Sequence, residues 1–379
     1  GAVLPATLSA QEGAPLIRDA RIFDGDRLIE ARDVLIDDGR IVRVGTGLEA
    51  PAGAVVVEAA GRTLMPGLID AHTHTFGDGL SEALIFGVTT HLDMLTDLGL
   101  ARAMRAEQEA GPVTSRADLF SAGALVTAPG GHGTQFGIPI PTLASADSAQ
   151  AFVDARLAEG SDWIKIVHDD FHAYGMSMPT LDAEAVGAVV EATRRRGRLA
   201  VVHVGYASGA RMAIEANAHG LAHLFTDRLP ESDFAATVAE QGAFVIPTLT
   251  VLQSIAGSAG GESLIDDERF APYLHPNSRT MLRNAYPVLP GGPARSYDVA
   301  RETVRQLHAA GVPILAGTDA PNPGTAYGSA MHRELELLVD AGLSPEEALT
   351  AATAGPARIF GLDDRGRIAP GLRADLLLV

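Results

Sequence analysis

The sequence predicts an α/β fold in which a (β/α)₈ TIM barrel is joined to a small β domain. Apolar runs of strand length alternate with amphipathic segments of helix length through the middle of the chain, which is typical of βα units around a parallel sheet. Eight such runs occur, and eight strands favour closure into a barrel. Short β runs broken by turn residues occupy both chain ends.

The predicted barrel covers residues 65–365. Helical segments fill the intervals between its strands, for example ADSAQAFVDARLAEG before the fourth strand and LDAEAVGAVVEATRRRG before the fifth. The eight runs are LMPGLIDAHTH, GVTTHLDM, RADLFSAGALVT, DWIKIVHDD, RLAVVHVGY, GLAHLF, AFVIPTL and VPILAGTDA.

The two chain ends share the same pattern of short β runs broken by turn residues. Residues 16–64 and 366–379 are therefore predicted to build one discontinuous β-sandwich domain. Residues 1–15 form a leader. Its stretch AVLPATLSAQ is either the remnant of an export signal, which favours a periplasmic or secreted protein, or an ordinary disordered leader of a cytoplasmic one. The last run, RADLLLV, stops inside a predicted strand, so we expect the natural chain to continue beyond Val379.

Composition excludes several classes of function. The 379 residues include 47 acidic and 29 basic ones, and the formal charge of −18 disfavours nucleic acid and anionic membrane surfaces as partners. No apolar run approaches the roughly 20 residues that span a bilayer. The chain has no cysteine, so any metal must be held by nitrogen and oxygen. A small-molecule substrate is the expected partner, and homo-oligomerisation is left open.

Polar residues lie where the predicted strands end, which is where barrel enzymes gather their functional groups. His72 and His74 are two apart, so both project from one face of an extended strand. His203, His223 and Asp319 end three further runs. Alone, His203 or His223 is more readily explained as a packed core residue than as a ligand, but the convergence of all these residues predicts a metal site. Imidazole suits zinc first, with Co²⁺, Mn²⁺, Ni²⁺ or Fe²⁺ as alternatives.

Lys165 is the only lysine, and all other basic residues are arginines. It lies in the strand run DWIKIV, where an unpaired ammonium is strongly disfavoured. A desolvated lysine gives up its proton more readily than arginine, and the neutral amine can take up carbon dioxide to form a carbamate that bridges two metals. The alternative is a structural ion pair with Asp162 or Asp169.

These residues and motifs resemble the amidohydrolase superfamily, in its binuclear type with a carboxylated lysine, near the prolidase-like and imidazolonepropionase-like branch. The resemblance covers almost the whole chain, through MPGLIDAHTH, GVTT, IKI, GTDA, HRELELLVDAGLSPEEALTAAT, PARIFGL and GRIAPGLRADLLLV. It implies two divalent cations and a bridging hydroxide. The first cation would be held by His72, His74 and Asp319 and the second by His203 and His223, with the carboxylated Lys165 between them.

The resemblance also implies a reaction. The hydroxide attacks a carbonyl, and Asp319 accepts its proton and passes it to the departing amine. His132, in the loop TAPGGHGTQFGIPIPT, is expected to donate to the developing oxyanion. Its alternative is a solvent-exposed loop residue. Tyr206 and Tyr327 are further expected substrate contacts.

The predicted function is hydrolysis of a C–N amide bond, in a dipeptide or an N-acyl amino acid. Within the enzyme class, the alternatives are a cyclic amide, a lactone or a phosphotriester, because similar metal pairs hydrolyse all of them. Outside it, the alternative is a barrel that binds metal or ligand without catalysis. The segment after His74, TFGDGLSEALIFGVTT, is shorter than in the peptidase-like members, and VGY follows His203 where they place tyrosine one position sooner. Both departures lie where substrate would be held.

Overall fold

The computed structural model describes residues 13–137, 139–288 and 290–379. The strands are β1 Gly13–Phe23, β2 Leu28–Asp37, β3 Arg40–Gly45, β4 Ala54–Glu58, β5 Thr63–Pro66, β6 Leu68–Thr73, β7 Val88–Asp93, β8 Asp118–Ser121, β9 Ile164–His168, β10 Ala200–Val204, β11 Gly220–Ala222, β12 Phe244–Ile246 and β13 Leu376–Leu378.

The α-helices are α1 Gly79–Ile85, α2 Leu98–Ala110, α3 Ala149–Glu159, α4 Ala183–Arg195, α5 Ala207–Glu215, α6 Phe234–Glu240, α7 Leu249–Ile255, α8 Glu262–Asp266, α9 Pro276–Arg283, α10 Tyr297–Ala309, α11 Ser329–Asp340, α12 Pro345–Ala351 and α13 Ala354–Phe360. Among the described residues, none of these helices is long and apolar enough to cross a membrane.

Both chain ends contribute to one sheet of six strands, in the order β13-β5-β1-β2-β3 with β4 beside β1. The last strand, β13, pairs antiparallel with β5. The sheet buries an apolar cluster of its own that includes Ile22, Val34 and Ile41. The described strands form this single sheet where the sequence led us to expect a sandwich. The predicted leader lies outside the described residues as far as residue 12, and β1 already begins at Gly13.

The middle of the chain forms two parallel sheets, β6-β7-β8 and β12-β11-β10-β9. Isolated parallel bridges continue the pairing between them, through Val126 and Ile166 on one side. Seven of the eight predicted runs contain one of these parallel strands. The eighth forms only single bridges, Val245 with Ile314 and Thr73 with Ala320, because it exchanges hydrogen bonds first with β12 and then with β6.

A buried apolar cluster draws on β6, β7, β10, β11 and β12, with Leu92, Val201 and Ile246 among its members. A larger cluster joins the outer faces of the strands to the helices. The parallel strands therefore pack apolar side chains against one another.

Candidate metal centre

His72, His74 and Asp319 meet at the end of β6. The Nε2 atoms of His72 and His74 lie 3.4 and 3.1 Å from Asp319 Oδ1. His72 is fully buried and Asp319 is 7% exposed. Three potential ligand atoms therefore point at one small volume.

The backbone holds this arrangement. The amide of Asp319 donates to the carbonyl of His72 at 2.7 Å, and the amide of His74 donates to the carbonyl of Ala320 at 2.8 Å. Gly317 lies so close to β6 that a Cβ there would stand 2.8 Å from the His72 nitrogen. Asp319 has a φ of +58°, a strained conformation that a non-glycine residue retains only when its surroundings impose it.

Buried Asp70 ties the same two segments together. Its carboxylate accepts hydrogen bonds from the amide and the hydroxyl of Thr318, at 3.0 and 2.7 Å. Burial raises the pKa of Asp70 to about 7. The residue thereby positions the segments that carry His72 and Asp319.

His203 and His223 form the other half of the site. The His223 ring centroid lies 4.5 Å from those of both His72 and His203. The Nδ1 atom of His223 is bonded to the hydroxyl of Thr248 at 2.8 Å, so its Nε2 is the nitrogen that is free to bind a cation. The φ of His223 is +69°, a second strained residue at a predicted ligand.

Lys165 lies on β9 between these halves. Its Nζ is 3.4 Å from His72 Nε2, and the residue is 2% exposed. Neither predicted ion-pair partner contacts it, because Asp162 pairs with Arg105 at 2.8 Å and Asp169 contacts His203 at 3.4 Å. Burial lowers the pKa of Lys165 to about 7, so a substantial part of the amine is neutral near neutral pH.

The donors fit divalent cations. One nitrogen each from His72 and His223 and one oxygen from Asp319 all lie within 4.8 Å of one another. Burial holds the pKa of His72 and His223 well below its usual range, which leaves neutral imidazoles with free lone pairs. Asp319 Oδ1 is buried without a hydrogen-bond partner among the described residues. A bound cation would satisfy it.

His132 lies beside this centre, with its ring centroid 5.1 Å from that of His203. The Oε1 of Gln135 accepts from the amide of Gly133 at 2.7 Å, which turns its amide nitrogen toward His132 Nδ1 at 2.8 Å. Nδ1 therefore accepts, and the proton of the neutral ring is on Nε2. That tautomer is the one able to donate to an oxyanion.

The two tyrosines named by the sequence occupy different surroundings. The Tyr206 hydroxyl lies 2.8 Å from His168 Nε2, and its side chain is partly exposed at the mouth of the site, the end of the strands where Tyr206 and His132 lie. Tyr327 is buried, donates to the carbonyl of His74 at 2.6 Å and accepts from the amide of Phe76 at 3.1 Å. The sequence predicted that Tyr327 contacts the substrate. Its hydroxyl is instead occupied by the backbone, so Tyr327 positions the chain at His74.

Three residues support the site in roles that the sequence did not assign to them. Asp169 Oδ2 lies 3.4 Å from His203 Nε2, Asp93 accepts from the amide of Thr75 at 2.6 Å, and Thr248 holds His223. Asp93 and Thr248 each lie one residue before the end of their own predicted runs, and Asp169 directly follows β9. The position at a strand end was the signal that could have found them.

The chain belongs to the amidohydrolases, because the model of the Amidohydrolase family matches residues 63–379. This family and its neighbours define a TIM-barrel hydrolase that acts on carbon–nitrogen bonds. The family and the reaction class expected from the sequence are thereby confirmed, and the non-catalytic alternative is set aside.

Particular relatives fall on the two expected branches. The chain is 29% identical to an imidazolonepropionase of Cereibacter sphaeroides over 96% of this chain and 91% of that protein. It is similar to the structure of a putative prolidase from Bifidobacterium longum, with 26% identity, a TM-score of 0.73 and coverage of 97% and 88% of the two chains. A Xaa-Pro dipeptidase structure with bound methionine shares the fold, with 22% identity, a TM-score of 0.73 and coverage of 97% and 93%.

Proposed function

We propose that this protein hydrolyses the amide bond of a dipeptide or an N-acyl amino acid at a centre of two divalent metal ions. The observation that carries the proposal is the convergence of His72, His74 and Asp319 with His203 and His223 around the buried Lys165. No single strand supplies more than two of these groups, so packing alone does not account for their meeting.

The proposed ligands divide into two sets. His72, His74 and Asp319 would hold one ion and His203 and His223 the other, with Lys165 as a carbamate between them. Zinc is the first expectation, because imidazole nitrogen dominates the donors. When bound, such a pair of ions lowers the pKa of water toward neutrality and polarises a carbonyl oxygen.

The protein's own residues would move the protons and stabilise charge. Asp319 lies where it can accept a proton from the attacking water and return it to the departing amine. His132, with its proton on Nε2, is proposed to donate to the oxyanion, since Gln135 occupies the other ring nitrogen. Tyr206, at the half-exposed mouth, is proposed to contact the substrate.

The proposed architecture behind this centre is a closed (β/α)₈ barrel over residues 65–365. The isolated bridges between the parallel sheets support closure, because they continue the pairing from β12 through the eighth segment to β6. Residues 16–64 and 366–379 would form the small domain, supported by the pairing of β13 with β5.

The substrate proposal rests on the prolidase-like neighbours, one of which is 26% identical. A second candidate is a cyclic amide, which the imidazolonepropionase relatives over 96% of the chain favour. Metal-loaded protein should be screened against dipeptides, N-acyl amino acids, cyclic amides, lactones and phosphotriesters. Robust lactone or phosphotriester hydrolysis without cleavage of any amide would refute the proposal.

The proposed role of Asp319 is tested by Asp319→Asn. The amide retains the size of the side chain but does not carry the proton, so we expect turnover to fall by about a hundredfold or more. Elemental analysis should show close to two ions per wild-type chain and at least partial retention in the variant. Full activity in Asp319→Asn would remove the proton-transfer role. A wild-type stoichiometry that stays at one after metal and bicarbonate are supplied would contradict the paired centre.

A further inference from the structure

Two phenylalanines flank His132 at the mouth. The ring centroid of Phe136 lies 5.4 Å from that of His132, and the ring centroid of Phe171 lies 4.7 Å from it. Phe171 is also 6.3 Å from His203 in a stacked arrangement. The aromatic rings therefore adjoin the proposed oxyanion donor and one proposed metal ligand.

Neither ring belongs to the apolar core. Phe136 is 55% exposed and Phe171 is partly exposed. The φ of Phe171 is +63°, a left-handed conformation that is a genuine outlier for a bulky residue. The carboxylate of Asp169 accepts from the Phe171 amide at 2.8 Å and so holds this conformation. Strain that a fold maintains at a site is a sign of function.

The loop that carries Phe136 is unusual in its composition. Residues 122–146 contain no aspartate, glutamate, lysine or arginine, although such residues make up 20% of the chain. The loop follows β8, so it lies at the same end of the strands as the metal centre. Met176, on the loop after β9, is 52% exposed, and Phe76, after β6, is 37% exposed. Several apolar side chains thus share this end, whereas an isolated one would need no explanation.

The direction of the reacting amide selects which half of the substrate meets these rings. The departing amine must lie near Asp319 and the carbonyl oxygen near His132. We place the remaining substituent of the carbonyl carbon against Phe136 and Phe171, because both rings adjoin His132, beside which the carbonyl oxygen would lie.

We infer that the acyl substituent of the substrate is a large apolar group, alkyl or aromatic, that packs against Phe136 and Phe171. This inference rests on the proposed amide hydrolysis and adds a substrate class to it. The protein would then cleave N-acyl amino acids with long or aromatic acyl groups in preference to N-acetyl ones.

The test compares two series of substrates with metal-loaded protein. In one, the acyl chain of N-acylglycines grows from acetyl to octanoyl. In the other, the amino acid side chain of N-acetyl amino acids grows. We expect kcat/KM to rise by about fourfold per methylene on the acyl side until the subsite is filled, and much less on the amine side. A flat acyl series, or a steeper amine series, would overturn the inference.

Variants assign the effect to the rings. Phe136→Ala should flatten the acyl series, and Phe136→Leu should preserve most of the slope. Ile85→Ala is the matched control, because Ile85 is 56% exposed at the end of α1, away from the mouth. An unaltered slope in Phe136→Ala would also overturn the inference.

A binding measurement separates this inference from the proposed reaction. Alkyl methyl ketones carry the carbonyl and the apolar chain but no bond that can be hydrolysed. Their Kd, measured by calorimetry, should fall with chain length in wild type and lose that trend in Phe136→Ala. If no amide is cleaved but the ketones behave in this way, the apolar subsite is supported and the proposed amide hydrolysis is refuted. If amides are cleaved but neither the amide series nor the ketone series depends on Phe136, amide hydrolysis is supported and the apolar subsite is refuted.

Discussion

The two halves of the metal centre are built differently. His72 and Asp319 are buried and joined by backbone hydrogen bonds between β6 and the eighth segment. In the other half His203 is partly exposed, as is His132 beside it, and side chains outside the strands position both: Asp169 for His203 and Gln135 for His132.

The contrast separates two tasks. Backbone hydrogen bonds allow the first half little movement. This suits ligands that must stay at a constant distance from a bound cation. A half supported by loop side chains can change with the substrate without disturbing the strands. We therefore expect substitutions at the site to damage activity most where the two halves join and less where only the loop support is altered.

Lys165→Ala should have the largest effect, because Lys165 lies between the halves. We expect activity to fall on the order of a thousandfold, since the loss of an anionic ligand removes several kcal/mol of charge stabilisation. Short carboxylic acids should restore part of the activity by filling the vacated space, and Lys165→Arg should remain inactive because guanidinium stays protonated. A crystal structure with metal should show density for a carboxyl group beyond Nζ in wild type. An unmodified Lys165 in an active, metal-loaded enzyme would refute the carbamate.

Asp169→Asn tests the support of the exposed half. The carboxylate contacts His203 Nε2, so we expect the affinity for the second ion to fall by about 10- to 100-fold, as for other partners of ligating histidines. Competition with a chelator measures this affinity for each ion. Asp170→Asn is a suitable control, because the neighbouring Asp170 pairs with exposed His172 and not with His203. Equal loss of both ions would mean that Asp169 stabilises the fold generally.

Gln135→Leu should have a smaller effect, because it removes one hydrogen bond from His132 Nδ1. We expect kcat to fall by about two- to tenfold, the value of a single hydrogen bond, with metal content unchanged. Gln135→Glu should be worse than Gln135→Leu, since a carboxylate accepts a proton from Nδ1 and so favours the wrong tautomer. A Glu variant as active as wild type would show that the tautomer of His132 does not matter.

The smallest effect on activity is expected at the buried Glu334, whose carboxylate accepts from the amides of Leu249 and Thr250 at the start of α7. Burial raises its pKa from 4.5 to about 7. The folded state then binds a proton more readily than the unfolded state, so the stability contribution is complete below about pH 4.5 and is lost as the pH rises through about 7.

Glu334→Gln should remove this dependence. Relative to the variant, wild type should lose about 1–3 kcal/mol of unfolding free energy between about pH 5 and about pH 8, with near-equal activity at constant pH. Urea unfolding of both proteins at each pH measures the difference. Parallel pH profiles for the two proteins would contradict the assignment, and Glu336→Gln, on the same helix with an exposed carboxylate paired to Arg333, provides the matched control.

The sequence determined the strand runs and most of the polar groups that end them. An isolated polar residue at the end of an apolar run interrupts the hydrophobic pattern of a buried strand, and this identified His72, His74, His203 and His223. Lys165 was identified because it is the only lysine. Spacing along a strand is a local property, so it can be read directly from the amino-acid sequence.

Only the tertiary structure decided which partner each group has. Asp169 could serve Lys165 or His203, and it contacts His203 because β9 and β10 pair in a register that sets His203 opposite Val167. Tyr327 looked available to substrate until the fold brought its hydroxyl to the backbone of His74. The sequence of the eighth run predicts a strand. In the structure it forms only isolated bridges, because it divides its hydrogen bonds between β12 and β6. Such pairings join residues as many as 253 positions apart, and no local pattern encodes them, because the free energy that selects them comes from packing the whole chain.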